Sequence, residues 1–389
     1  MKRSASFYLR FLFILPGMLL FATAIAQRSN ARDNHKLPAE TRDSFGMKDH
    51  FDRQYGAAAM KYAFDGKSAK DVEAWKKAFL PKLRSALGLD KIGRQLTGYE
   101  PKAEKKDSVD LGFCIREHWI IWTEPSVPLP VVILFPKNKP GKLPLTLTPH
   151  GHGRNADLYD GIYPRVAGKE PTEKANRSIA AQSVSEGYIT IAPTVRAFGA
   201  TRSEYDKKEG NSFSCRDQLM KDLLVGRTPI GDRVWDISKI IDWAVKNLPV
   251  DENRIAITGN SGGGTVSLFA AACDPRIAVA APGSAFCTFY GSIGTIAHCD
   301  CNYIPGIADL GEMGDVAGLI CPRAFCALNG VEDHIFPIAE TRKAFAHLQK
   351  IYAAAGASSK AELYEGPAGH WYYKEGAWPF IKKHFSSIK

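Results

Sequence analysis

The stretch Ile257–Ala272, ITGNSGGGTVSLFAAA, runs from β-branched residues through a knot of glycines into helix-forming residues. One serine, Ser261, stands among Gly259, Gly262, Gly263 and Gly264. A strand that turns directly into a helix, with G-x-S-x-G at the bend, is the pattern of a nucleophile elbow. Such a turn holds the serine in a strained conformation, and small residues two positions away on each side prevent clashes. The following helix aims its first amides and the positive end of its dipole at the same point. Other meanings fail on spacing. A Walker loop needs Gly-Lys-Ser/Thr and there is no lysine, and the G-x-G-x-x-G of a dinucleotide loop is absent. A surface serine in a glycine-rich turn is the plain alternative, and the strand-to-helix context argues against it. The spacing gives Gly259 and Gly263 the clearance role and leaves Gly264 without one.

Working outward, apolar strands and amphipathic helices alternate on both sides. "NRSIAAQSVSEG" precedes "YITIAPTV", "DRVWDISKIIDWAVKNL" precedes "RIAITGN", and "GGTVSLFAAAC" precedes "IAVAAPGSA". This alternation predicts a mainly parallel sheet with helices on both faces. Further upstream, "LGFCIREHWIIWTE" and "LPVVILFPK" predict an antiparallel hairpin. In "AKDVEAWKKAFLPKLRSALG", Val72, Trp75, Phe79, Leu83 and Leu87 recur at helical spacing, with Gly88 as a stop and Pro81 as an interruption that suggests two short helices. We therefore divide the chain into residues 1–26, 27–44 (a polar leader), 45–100 (a helical extension) and 101–389 (the α/β domain).

In a parallel sheet the chemistry gathers at the carboxyl ends of the strands. A serine hydroxyl needs a base, and the base needs an orienting carboxylate. After the strand "RAFCALNG" comes Asp333, with Glu332 as the rival acid; after "AELYEG" comes His370 in a Gly/Pro loop. For an oxyanion, the amide of Gly262 is one donor. The second comes from the loop "PHGHG", where we assign the amide of His152, with Gly151 as the alternative. Arg196 follows the strand "YITIAPTV" and could grip a substrate carboxylate, or be salt-bridged within its loop. Trp371 stands beside His370 and could stack on a sugar or fill the core.

The elbow, the His150-Gly-His-Gly loop, "VDENRIAITG" and "NGVEDHIFP" together resemble the α/β-hydrolase superfamily. The branch they look like is the acetyl xylan esterase and dienelactone-hydrolase-like carbohydrate esterases, from about Gly112 to the C-terminus. The chain order Ser261, Asp333, His370 is that of the superfamily. The resemblance implies a two-step acyl transfer through Ser261, with no cofactor. It implies removal of acetyl groups from a polysaccharide such as xylan, or hydrolysis of a uronic-acid ester as by a methylesterase or a glucuronoyl-type esterase. Dienelactone hydrolases carry cysteine where this chain has Ser261, which argues against that chemistry. A peptidase of the prolyl-oligopeptidase type shares the triad order, but the segment ahead of the elbow is too short and too α/β-like for a propeller.

Residues 1–26 read as a secretory signal: Lys2, Arg3 and Arg10, an apolar run from Phe11 to Leu20, then Ala24-Ile25-Ala26. This predicts a secreted or periplasmic protein with no membrane span. Without that segment the formal charge falls from +10 to +7, and no basic tract with interleaved aromatics points to nucleic acid. All 8 cysteines lie beyond it. In an exported chain Cys287, Cys299 and Cys301 are the better candidates for bridges, while Cys326 reads as a buried thiol. "AHCDCNY" offers only C-x-C with one histidine, so the local spacing predicts no metal.

Overall fold

The alternating pattern builds a nine-stranded sheet in the computed structural model, which describes residues 47–152 and 178–388. The strands are β1 (Lys102–Asp110), β2 (Cys114–Glu124), β3 (Val127–Pro136), β4 (Leu143–Leu147), β5 (Ile189–Pro193), β6 (Val250–Asn260), β7 (Ile277–Gly283), β8 (Ala324–Gly330) and β9 (Ala361–Gly366). Their order is β1-β2-β3-β5-β4-β6-β7-β8-β9. The pairs from β1 to β5 are antiparallel, and from β5 through β4 to β9 every pair is parallel. The carboxyl ends of β4, β6, β8 and β9 thus share one edge of the sheet.

The parallel strands are buried on both sides, which explains their continuous apolar runs. β8, AFCALNG, is buried at every position. Ala324, Cys326 and Leu328 meet Trp378, Phe380, Ile381 and Phe385 of the helix Lys374–Ser386. On that face the helix Ile179–Ser185 is its neighbour, with Trp378 Nε1 donating to Gln182 Oε1 at 2.9 Å. Right-handed crossovers put the helices Pro229–Asn247 and Gly262–Cys273, which pack on each other, on the opposite face.

Two local expectations change. β1, KAEKKDSVD, carries no apolar alternation and is exposed at nearly every position. It pairs with β2 as a charged edge strand, whose lysines discourage further pairing. Pro81 does not split its helix, which runs unbroken over Ala69–Ala86. The carbonyl left without a donor belongs to Lys77, an exposed residue, so water can satisfy it. Gly88 does end that run, with φ 81°. By contact density the chain divides at Ala57/Ala58. The first unit contributes one described helix, Lys48–Gly56, and the second holds the sheet and the other helices. Residues 1–26 lie outside the described residues. Among those described, no helix is long and apolar enough to cross a membrane.

Candidate active site

Ser261 occupies the bend between β6 and the helix Gly262–Cys273, with φ 56° and ψ −122°. A side chain held there costs on the order of 1–3 kcal/mol and persists only where its surroundings impose it. Its N–H donates to Gly283 O at 2.8 Å, and its carbonyl accepts from the amide of Thr265 at 2.9 Å. Packing explains the glycines. A Cβ on Gly263 would come 2.0 Å from Pro149 O, and one on Gly259 would come 2.4 Å from the same oxygen. The clearance is therefore to the loop after β4. A Cβ on Gly264 would stand 2.4 Å from Gly283 O, which supplies the role the spacing left open.

Asp333 lies three residues past the end of β8 and His370 four past the end of β9. Asp333 is buried, and its Oδ2 accepts from His370 Nδ1 at 2.8 Å. Its Oδ1 accepts the amides of Ile335 at 2.9 Å and Phe336 at 3.0 Å. Burial pushes the Asp333 carboxyl up; the bond from His370, its charge and those two amides outweigh it and hold the group below its ordinary value. Glu332 is exposed, so of the two rival acids Asp333 is the one that meets the histidine. The bond at Nδ1 leaves Nε2 as the imidazole nitrogen available to a substrate-side partner.

The loop after β4 is held by His150. Its Nε2 accepts from the amide of Val195 at 3.0 Å, and its Nδ1 donates to Gly151 O at 2.8 Å. Burial pushes this imidazole down to about 4. It is a neutral brace, and its nitrogens are occupied within the protein. The ring of His152 lies against Gly262: a Cβ there would come 2.8 Å from His152 Cε1 and Nδ1. The loop's backbone thus borders the first turn of the elbow helix, whose amides have no intrahelical acceptor.

A parallel sheet with an antiparallel flank, a strained serine between strand and helix, and an Asp-His pair at the ends of two later strands define the architecture. This is the α/β-hydrolase fold. Solved structures agree. The chain superimposes on a "putative acetyl xylan esterase" from Bacteroides fragilis NCTC 9343 with a TM-score of 0.67, 18% identity, and coverage of 86% of this chain and 84% of that one. On methylesterase BT1017 the values are 0.62, 17%, 87% and 68%. The family model of the X-Pro dipeptidyl-peptidases (S15 family) matches residues 126–298, and that of the prolyl oligopeptidase family matches 229–382. A curated relative, "Putative hydrolase YtaP" of Bacillus subtilis (strain 168), is 26% identical over 245 residues, 62% of this chain and 78% of that protein.

Within this fold Arg196 does not stand free for a substrate, and its ion pairs lie outside its own loop, which corrects both readings open to it. It is buried, and its guanidinium donates to Asp236 Oδ2 at 2.7 Å, Asp236 Oδ1 at 2.6 Å, Asp232 Oδ2 at 3.0 Å and Glu124 Oε1 at 2.6 Å. Arg227 shares Glu124 and Asp232. The network borders a cavity of about 780 Å³ walled by Ile120, Trp122, Leu129, Arg202 and Lys221, and none of Ser261, Asp333 and His370 lines it. Trp371 is half-buried against the core beneath the Lys374–Ser386 helix. Its carbonyl accepts from Ser284 Oγ at 3.2 Å.

Two further groupings escape a reading of motifs. The ring of Phe336 stacks on His370 with centroids 6.0 Å apart, and His298 packs edge-on to Phe336 at 5.1 Å. The cysteines are all free thiols, and Cys287 is not part of the group around Cys299 and Cys301: its Sγ faces Pro337 O instead. The third sulfur there is Cys215. Donor atoms of His152, Cys215, Cys299 and Cys301 lie within 4.8 Å of one another. The expectation of no metal rested on local spacing alone, which does not see this grouping. The fold gathers four donors from three distant segments.

Proposed function

We propose that this chain is a serine ester hydrolase acting on carbohydrate esters, with Ser261 as nucleophile, His370 as base and Asp333 as the acid that orients it. The observation that carries this is the strained Ser261 at the elbow together with the Asp333–His370 bond at neighbouring strand ends. In the forward step His370 Nε2 takes the proton of Ser261 as Oγ attacks the ester carbonyl, and returns it to the leaving alcohol. Asp333 fixes the tautomer and stabilises the imidazolium. The amides of Gly262 and His152 receive the oxyanion. Water, activated by the same histidine, then releases the acid from Ser261.

Acetyl removal is the preferred reaction. The uronate reading drew on Arg196, whose guanidinium is committed to Asp236, Asp232 and Glu124. A peptidase reading keeps the support of the two family matches. The test is a panel of p-nitrophenyl acetate, acetylated xylan, methyl-esterified pectin and a prolyl anilide, run on wild type and Ser261→Ala. We expect acetate release from xylan and the aryl ester, and a fall in kcat of roughly 10⁶ in the variant with its fold intact. Unchanged turnover in the variant would refute the nucleophile. Hydrolysis of the anilide alone would refute the esterase reading, and preference for pectin would move it to methyl esters. The leader-like residues 1–26 support export toward such a polymer.

A further inference from the structure

We propose that His152, Cys215, Cys299 and Cys301 bind a zinc ion that clamps the loop after β4 to the helix Cys215–Leu224 and to the 299–301 turn. The donor set is three sulfurs and one imidazole nitrogen, soft ligands that suit zinc and not magnesium or calcium. Cys301 Sγ stands 3.5 Å from Cys299 Sγ and 3.2 Å from His152 Nε2. The edges of a tetrahedral ZnS₃N centre are about 3.8 Å between sulfurs and about 3.6 Å from sulfur to nitrogen, given metal–ligand bonds of about 2.3 and 2.05 Å. Small inward and outward shifts would seat the ion.

Charge supplies a second, independent argument. Three thiolates, a neutral imidazole and Zn²⁺ carry a net charge of −1. Arg233 is buried beside them, with Nη2 3.6 Å from Cys215 Sγ. Nη2 also donates to Arg196 O, the guanidinium lies 5.6 Å from the Phe198 ring centroid, and among the described residues its Nε is buried without a partner. Among the described residues no carboxylate pairs with it, whereas Arg196 has three. A buried guanidinium without a counter-charge is costly, and an anionic metal centre supplies the counter-charge that the described residues do not. All four positions of the tetrahedron are filled by protein, so the ion is structural and takes no part in activating water.

The metal site stands apart from the acyl-transfer reading; only the consequence that it steadies the His152 amide rests on it. The experiment is elemental analysis of the full chain purified without chelator, with Cys299→Ala, Cys301→Ala and the control Cys326→Ala. We expect about one zinc per chain in wild type and in Cys326→Ala, and loss of the metal in the other two. Because those two variants can misfold, the wild type is also stripped and refilled with Co²⁺. Thiolate-to-cobalt charge-transfer and tetrahedral d–d absorption then support the site. Folded wild type with only traces of zinc that gives no such spectrum overturns it. A disulfide among Cys215, Cys299 and Cys301 in non-reducing peptide mapping, or iron or copper in place of zinc, also overturns it. Zinc without ester hydrolysis would defeat only the functional reading, and hydrolysis without zinc only the clamp.

Discussion

At the scale of single residues, Asp333 is the position where environment decides the role. Its neighbour Glu332 carries the same charge but faces water, whereas Asp333 is enclosed and holds three donors. Asp333→Asn should leave the backbone donors' acceptor in place and present His370 with the wrong tautomer, reducing kcat by about 10⁴. Steady-state turnover of an aryl acetate, with near-ultraviolet circular dichroism as the fold control, checks this. Asp222 offers a titration of the opposite sense. Burial, then the charge of Asp232, raises its carboxyl to about 7, and its Oδ2 is buried without a partner. The folded state therefore binds a proton that the unfolded state has released above 3.8. That contribution is full below 3.8 and is lost as pH rises through about 7. Asp222→Asn should raise Tm most at about pH 8, by only about a third as much at about pH 5, and hardly at all below 3.8; equal shifts at about pH 8 and about pH 5 would refute the assignment.

At the scale of elements, the sequence was most readable where one period dominated. The hairpin of β2 and β3 and the strand–helix alternation from β4 onward follow directly from their apolar patterns. β1 was invisible because an edge strand has no second face to bury, so nothing selects alternation along it. Pro81 misled because its cost depends on whether the orphaned carbonyl can reach water, which the sequence does not display. The helix Pro229–Asn247 shows how a cap ties elements together. Thr228 Oγ1 accepts from the amide of Gly231 and donates to Leu87 O, both at 3.0 Å. Thr228→Ala should cost about 1–2 kcal/mol, read as a lower midpoint in urea at an unchanged m-value.

At the scale of the whole molecule, the candidate triad was legible because its members obey a rule of strand ends, which chain order preserves. The thiol cluster was not, because its donors come from positions 152, 215, 299 and 301 and meet only after the sheet is assembled. Arg196 divided the same way: its place after β5 was readable, and its partners on β2 and on the Pro229–Asn247 helix were not. That network has a consequence in ionic strength. The side chains of Arg196, Asp232 and Asp236 retain at most 11% of their exposure, whereas pairs such as Arg342–Glu365 stand partly open at 55% and 31%. Dissolved ions screen charges over about 3 Å at 1 M salt, but only where solvent reaches them. The joint between the antiparallel flank and the parallel sheet is thus insulated from the brine around it. Melting curves at about 0.1 M and 1 M NaCl should nearly coincide for the wild type. Glu124→Gln should lower Tm by the same amount in both, because the bonds it disturbs never met the counter-ions.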